Sequence, residues 1–394
     1  MKNQRSLSRR AALRVGTVGA GFALAGGLVA ACGSSDDSSS TAATKVQTVS
    51  AAKAGLQPFD PNAPAGPATG LPKRVAWANV SNAEFFLSLG SAIKQAAQSD
   101  GCDYVTAIAD NDAAKNVDQM NQFIARGIGA MVVQPLDPAS QTPVMQQALG
   151  KGIGVMGLIT SPTTMVAVTD QYAVGLAQGK AAAAYVTAHL GGKAQVQVFN
   201  EDSLGPPLKE RHKGVLDGLK TGGAGIQVVS DVEAKQLTND GGFDTMNTVI
   251  QAHPDIKVVL GVDTEVIGAY RALQQSGKAT NDMYLSGING DQQALDLIAK
   301  GGPYKASWAF AWPVLGYTIG KYSCDWINGK SIPRALVVPA VPLDSAAAIA
   351  TYDADMKQPA AILADDAQFH KYITPKGNIS FQTKTNFWKQ TYTP

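Results

Sequence analysis

A chain of 394 residues with 45% hydrophobic and 16% charged side chains is long enough to bury more than one core. The formal net charge of +2 counts five basic residues and no acidic ones within the first 31, so the rest is slightly acidic, which argues against a nucleic-acid surface.

Lys2, Arg5, Arg9, Arg10 and Arg14 precede an uncharged run at 15–31, followed by Cys32-Gly33. A basic start, a short apolar run and small residues before a cut site make an export signal, too short and glycine-rich to span a membrane. Ser8-Arg9-Arg10-Ala11-Ala12-Leu13 resembles the twin-arginine export motif, although Ala12 departs from the usual aromatic or Leu. Val29-Ala30-Ala31-Cys32 resembles a bacterial lipobox, which implies a lipidated Cys32 and a cell-envelope protein tethered to the membrane, not spanning it. Residues 32–70, rich in Ser, Ala, Thr, Pro and Gly without apolar periodicity, read as a flexible tether.

From Leu71 the pattern changes. Arg74–Asn79 and residues 104–108, 130–134, 153–159 and 165–169 read as strands. Helical periodicity falls between the first four, at Glu84–Ser99, 113–126 and 139–149, with Gly101, Gly127 and Gly150 at the stops. After a helix at 172–190 a second round follows, with strands at Ala194–Asn200, 226–231, 257–262 and 283–288 and helices at 208–219, 244–252, 265–276 and Gln292–Lys300. Continuous Val, Ile and Ala runs alternating with helices predict parallel sheets covered on both faces. The fold class is therefore α/β, two doubly wound lobes with the carboxyl ends of their strands facing a shared crevice, where such sheets bind ligands.

The order and spacing of several motifs carry a resemblance. They are Asn82-Ala83-Glu84-Phe85-Phe86 after the first strand, residues 126–137 around the third, Asp170-Gln171-Tyr172 with Gly175 and Gly179, and Arg211 followed by Gly214. Further on come Ala252-His253-Pro254-Asp255, Asp263 with Gly268-Ala269, and Gly287-Ile288-Asn289-Gly290. Over residues 74–342 the chain resembles type I periplasmic solute-binding proteins, nearest the ribose-binding branch of ABC sugar importers. The resemblance implies a three-segment hinge, a first lobe of 71–168 plus about 311–331, and a second lobe of 169–310 plus part of 332–345. Residues 346–394 extend beyond the pattern, with no assigned role.

It also implies a sugar site of polar side chains and stacked aromatics. Phe85 and Phe86 match the stacking pair, Asn79 the polar contact ending the first strand, and Arg211, with five fixed donors, the residue that grips oxygens. Helix core is the other role open to the two phenylalanines, and a solvated helix charge the other for Arg211. Four departures stand out: Ile159-Thr160 replaces an Asp-Arg pair, Val262 an asparagine, Asn289 an aspartate and Phe310 a glutamine. Fewer polar partners mean a less hydroxylated ligand than ribose, since each unmade hydrogen bond costs about 1–3 kcal/mol. Trp77, Trp308 and Trp312 read equally as crevice walls or core; Glu84, Glu201 and Asp202 lie just past strand ends, where they read as ligand acceptors or as exposed carboxylates, and Asp263 reads more as a loop organiser than a contact. The reading predicts that Arg211→Ala weakens binding while leaving the fold intact.

Residues 152–157 satisfy G-x-G-x-x-G but enter a strand from a helix, the reverse of a dinucleotide loop, and the four histidines are scattered. No catalytic, metal or cofactor role follows. Cys102 and Cys324 either form a disulfide or remain as two buried thiols. The expected partners are a sugar, polyol or similar small molecule, ABC permease subunits and the membrane through the lipid, with no nucleic acid and a monomeric body. The alternatives are a ligand-presenting module for a membrane receptor, or an importer receptor for a nucleoside or aromatic acid.

Overall fold

The computed structural model describes residues 48–50 and 55–394. The export signal and Cys32 lie outside them. The first lobe is built on β2 (Arg74–Asn79), β3 (Asp103–Ile108), β4 (Ala130–Val133), β5 (Gly154–Leu158) and β6 (Met165–Val168), with α1 (Glu84–Ser99), α2 (Ala113–Ala125) and α3 (Pro138–Gly150) as crossovers. β1 (Thr48–Ser50) pairs with the C-terminal β15 (Thr391–Thr393). The second lobe holds β7 (Ala194–Asn200), β8 (Ile226–Glu233), β9 (Ile256–Leu260), β10 (Tyr284–Asn289) and β11 (Tyr304–Ala309). Its helices are α4 (Gln171–His189), α5 (Pro206–Lys220), α6 (Asn239–Ala252), α7 (Asp263–Gln275) and α8 (Gln292–Lys300). Central strands β4, β5 and β6 are buried along their whole length, whereas edge strands β3 and β8 are partly exposed, as sheets covered on both faces require.

The rest of the chain completes both lobes. α9 (Trp312–Ile327) packs on α1, and β12 (Ile332–Val337) runs parallel to β6, so 332–337 belongs to the first sheet and not to the second lobe. The crossing expected at 332 therefore comes after Val337, where Val338 N donates to the Val168 carbonyl and the Thr169 hydroxyl to the Val338 carbonyl. β13 (Val341–Leu343) then adds an antiparallel edge to β11.

The extension has a structural role. α10 (Ala346–Met356), α11 (Pro359–Ala364) and α12 (Asp366–Tyr372) lead to β14 (Thr374–Ile379), which pairs antiparallel with β12 and edges the first sheet. Strand orders are thus β14-β12-β6-β5-β4-β2-β3 and β13-β11-β10-β9-β7-β8. The chain crosses between sheets a fourth time, and the buried Tyr352 on α10 donates to the Phe310 carbonyl at 2.7 Å. The tether is also shorter than expected: Phe59 N bonds the Pro375 carbonyl, Gly66 N the Gly329 carbonyl, and the Thr69 hydroxyl the Ile327 carbonyl, fixing this stretch to the first lobe. Cys102 and Cys324 are buried free thiols.

Glycines set the approach of α4 to α5, the helix that carries Arg211. A Cβ on Gly175 would lie 2.0 Å from the Arg211 carbonyl oxygen, and one on Gly214 2.3 Å from that of Tyr172. Gly175→Ala is expected to push α5 outward and cost about 1–3 kcal/mol; urea unfolding with an unchanged slope would register this as a lower midpoint.

Candidate ligand-binding site

Strand ends from both lobes converge on a cavity of about 590 Å3. From the first lobe come Phe85, Phe86, Asp110, Asn111, Gln134 and Ile159; from the second, Gln171, Glu201, Arg211, Thr264 and Asn289; from the crossing after β11, Phe310 and Trp312. Backbone geometry marks the same place. Among the described residues four non-glycine residues have positive φ, Asp110 (57°), Asn111 (62°), Ile159 (45°) and Asn289 (124°), and all four line this cavity. Asp and Asn tolerate the left-handed region, but a β-branched residue there is a genuine outlier. Such strain persists only where the surroundings impose it, and it concentrates at functional sites.

One wall is aromatic. Ring centroids of Phe85 and Phe86 are 4.0 Å apart, Phe85 and Trp312 5.1 Å, and Phe310 and Trp312 5.3 Å. Trp312 Nε1 donates to the Asn289 carbonyl at 2.9 Å, so this wall offers ring faces with its one N–H already engaged. Facing apolar C–H surface of a ligand is what such rings do well.

The polar anchor is Arg211. Its Nη1 donates to Glu201 Oε2 at 2.9 Å and its Nε to Gln171 Oε1 at 2.8 Å, with the Arg211 and Glu201 side chains 12% and 8% exposed. Burial pushes the Glu201 carboxyl up and the Arg211 guanidinium down, while their mutual attraction opposes both shifts. Glu265, 1% exposed on α7, is pushed well up by burial and by the Glu201 charge, and the direct ion-pair partner of Arg211 is Glu201. A guanidinium neutralised in this way donates directed hydrogen bonds without attracting a net anion.

The second-lobe rim rests on Asp263. Its Oδ2 accepts from Gly290 N at 2.7 Å, Asp291 N at 2.9 Å and Ser307 Oγ at 2.6 Å, and its Oδ1 from the Tyr304 hydroxyl at 2.7 Å. This fixes the turn that holds Asn289 in its unusual conformation. Neighbouring Asp291 is pushed up to about 8, first by burial and then by the Asp263 and Glu84 charges. The sign follows: the fold accommodates the neutral acid, so its contribution to stability is intact below the unfolded value near 4 and is lost as pH rises through about 8. Wild-type melting temperature should fall relative to Asp291→Asn over this window, with the widest gap above pH 8; parallel curves from pH 4 to 9 would refute the assignment.

Several expected residues stand elsewhere. Trp77, 1% exposed, lies in the core against Phe86 with centroids 6.2 Å apart. Asn79, 2% exposed, turns its Oδ1 back to Ser81 N, and Thr160, 4% exposed, packs beside Gly157 beneath the wall. Trp308 sits on β11 opposite Pro342, Asp202 faces His212 Nδ1 at 3.2 Å, and Asp263 is fully buried. Exposed Glu84 also lies off the cavity wall: its Oε1 accepts from Gln292 N at 3.1 Å, so a first-lobe carboxylate caps the second-lobe helix α8 across the crevice. Phe85, Phe86, Arg211, Asn289 and Phe310 do reach the wall, joined by Glu201 and Trp312. Asp110, Asn111 and Gln171 were missed as contacts, although Asp110-Asn111 directly after a strand is a readable left-handed turn signal. Among the described residues no group of three or more His, Cys, Asp or Glu is placed to hold a metal ion, and no helix is long and apolar enough to cross a membrane.

Residues 74–331 match the periplasmic binding protein domain. The chain belongs to that family. Among periplasmic binding proteins with curated names, it is 24% identical to the ribose import binding protein of Bacillus subtilis over 266 residues, covering 66% of this chain and 82% of the relative. It is 27% identical to a putative rhizopine-binding protein of Rhizobium meliloti over 208 residues, 51% of this chain and 67% of that one. Two solved structures share the fold: a Mycobacterium smegmatis protein in complex with β-D-fucofuranose, and a Bacillus halodurans ABC transporter solute-binding protein with bound myo-inositol. The first has 20% identity and a TM-score of 0.66 over 73% of this chain and 96% of that chain. The second has 20% identity and a TM-score of 0.63 over 72% and 99%. In this chain the antiparallel strands β13 and β14 edge two otherwise parallel sheets.

Proposed function

We propose that this chain is the extracytoplasmic solute receptor of an ABC importer, closing two lobes around one sugar or sugar-like small molecule. The observation that carries this reading is the gathering of all four left-handed non-glycine residues among those described onto one cavity between the lobes. The names of the relatives, ribose import and rhizopine binding, support the same class. A ligand in this cavity touches both lobes, so it binds the closed form better and shifts the open–closed equilibrium by that differential affinity. The Glu84 carboxylate on the α8 amino end, available only when the lobes meet, adds to the closed state.

The export pattern and the lipobox-like Val29-Ala30-Ala31-Cys32 support a receptor held at the membrane by a lipidated Cys32, beside its permease. Cys32→Ser should then move the protein from the membrane fraction to the soluble fraction.

The ligand is tested by thermal shift against pentoses, hexoses, deoxy and methylated sugars, polyols, nucleosides and small aromatic acids. Ligand at a hundred times its Kd adds about 2.7 kcal/mol to stability, a readily visible shift. Hits among sugars or polyols are expected; hits confined to nucleosides or aromatic acids would overturn the sugar assignment.

A further inference from the structure

The chain leaves β11 and enters α9 through a tight turn at Phe310–Trp312, one of the crossings between lobes. Trp312 N donates to the Phe310 carbonyl at 2.8 Å, and the intervening Ala311 has φ −77° and ψ 66°. These are the values of an inverse γ-turn, which commonly starts a connection at a strand end. Phe310 and Trp312 both line the cavity, so one three-residue turn relates their rings, which meet at 69° with centroids 5.3 Å apart.

The two rings are secured differently. Trp312 has a polar anchor of its own, Nε1 on the Asn289 carbonyl at 2.9 Å. A phenylalanine ring can have none, so the place of Phe310 depends on the backbone that carries it. That backbone has a second donor on the same carbonyl oxygen, the Tyr352 hydroxyl at 2.7 Å. Tyr352 lies on α10, beyond the matched domain, and is 6% exposed. Burial pushes its hydroxyl up, so it keeps its proton and remains a donor at neutral pH. α10 is firmly mounted: it packs on α8 of the second lobe and on α9 of the first, and the Tyr372 hydroxyl on α12 donates to Asp355 at its far end. The extension therefore reaches the back of the ligand wall through one directed hydrogen bond.

We propose that Tyr352 is a positioning residue for ligand binding: by fixing the direction of the Phe310 carbonyl it sets the Phe310 ring against the cavity, so the C-terminal extension takes part in ligand affinity. The proposal rests on the reading of this cavity as the solute site. With the hydroxyl gone, fewer molecules hold the ring in the binding arrangement, and the apparent Kd rises by the inverse of that fraction.

Calorimetric titration of the full chain with D-ribose, D-fucose, D-glucose and myo-inositol tests it, using whichever binds the wild type most tightly. Tyr352→Phe keeps the buried ring, and the Phe310 carbonyl retains its bond from Trp312, so the variant is expected to fold. Its Kd should rise about threefold to tenfold, the scale of one neutral hydrogen bond. In a Phe310→Leu background the same change should move Kd by less than about twofold, because the ring it positions is absent, while still lowering the urea midpoint. That split separates positioning from a purely structural role, which would lower the midpoint in both backgrounds and leave both affinities alone. An unchanged Kd in Tyr352→Phe, or an equal loss of affinity in both backgrounds, would overturn the proposal and leave the receptor reading standing. No binding by the wild type to any of these compounds would overturn the sugar reading and the proposal with it.

Discussion

Arg211→Ala is expected to weaken ligand binding by about 1.5–3 kcal/mol, the range for hydrogen bonds to a charged group, or roughly ten- to 150-fold in Kd. It is also expected to destabilise the fold by about 3–5 kcal/mol, because it strands the Glu201 carboxylate, whose side chain is 8% exposed, beside Glu265. The sequence alone predicts the first effect with the fold intact; the buried pair adds the second. The two separate in a double variant. Replacing Glu201 by Gln in the Arg211→Ala background removes the stranded charge, so it should recover much of the stability and none of the affinity. Recovery of both would mean that Arg211 acts only by holding Glu201, and an undiminished affinity in Arg211→Ala would remove it from the site.

Asp263→Ala should be at least as damaging to the fold. Four donors converge on this fully buried carboxylate, from Gly290, Asp291, Ser307 and Tyr304. Each buried donor left unpaired costs about 1–3 kcal/mol, and the set acts as one network, so a loss on the order of 4–5 kcal/mol is expected. Asp263→Asn is instructive because it keeps the shape. Its amide oxygen can accept from Gly290 N, Asp291 N and Ser307 Oγ while its NH2 donates to the Tyr304 hydroxyl, so it should recover much of the loss. Denaturant unfolding checks both variants; a loss under about 1 kcal/mol in Asp263→Ala would show that water replaces the carboxylate, contrary to the network described.

Much of the fold was legible because its central strands carry continuous Val, Ile and Ala runs and its helices stop at glycines, signals that depend only on neighbours in sequence. β12 was not, because Ile332-Pro-Arg-Ala-Leu-Val337 lacks either period and its place beside β6 depends on a partner more than 160 residues earlier. The extension escaped for the same reason: the roles of β14 and Tyr352 are defined by contacts with β12 and Phe310, not by local pattern. At the site, Phe85, Phe86, Arg211, Asn289 and Phe310 were found through family motifs, and they reach the cavity. Trp77 and Thr160 do not, since a strand-end position fixes which loop a residue joins but not which face of the sheet its side chain takes. The charge balance at Arg211 was also illegible, because Gln171, Glu201 and Glu265 come from three separate elements.

Two lobes that close on one solute compact the molecule, which small-angle X-ray scattering of the purified protein reads with and without the compound that gives the largest thermal shift. A smaller radius of gyration is expected on saturation, with one ligand bound per chain. An unchanged scattering profile at saturating ligand would contradict it.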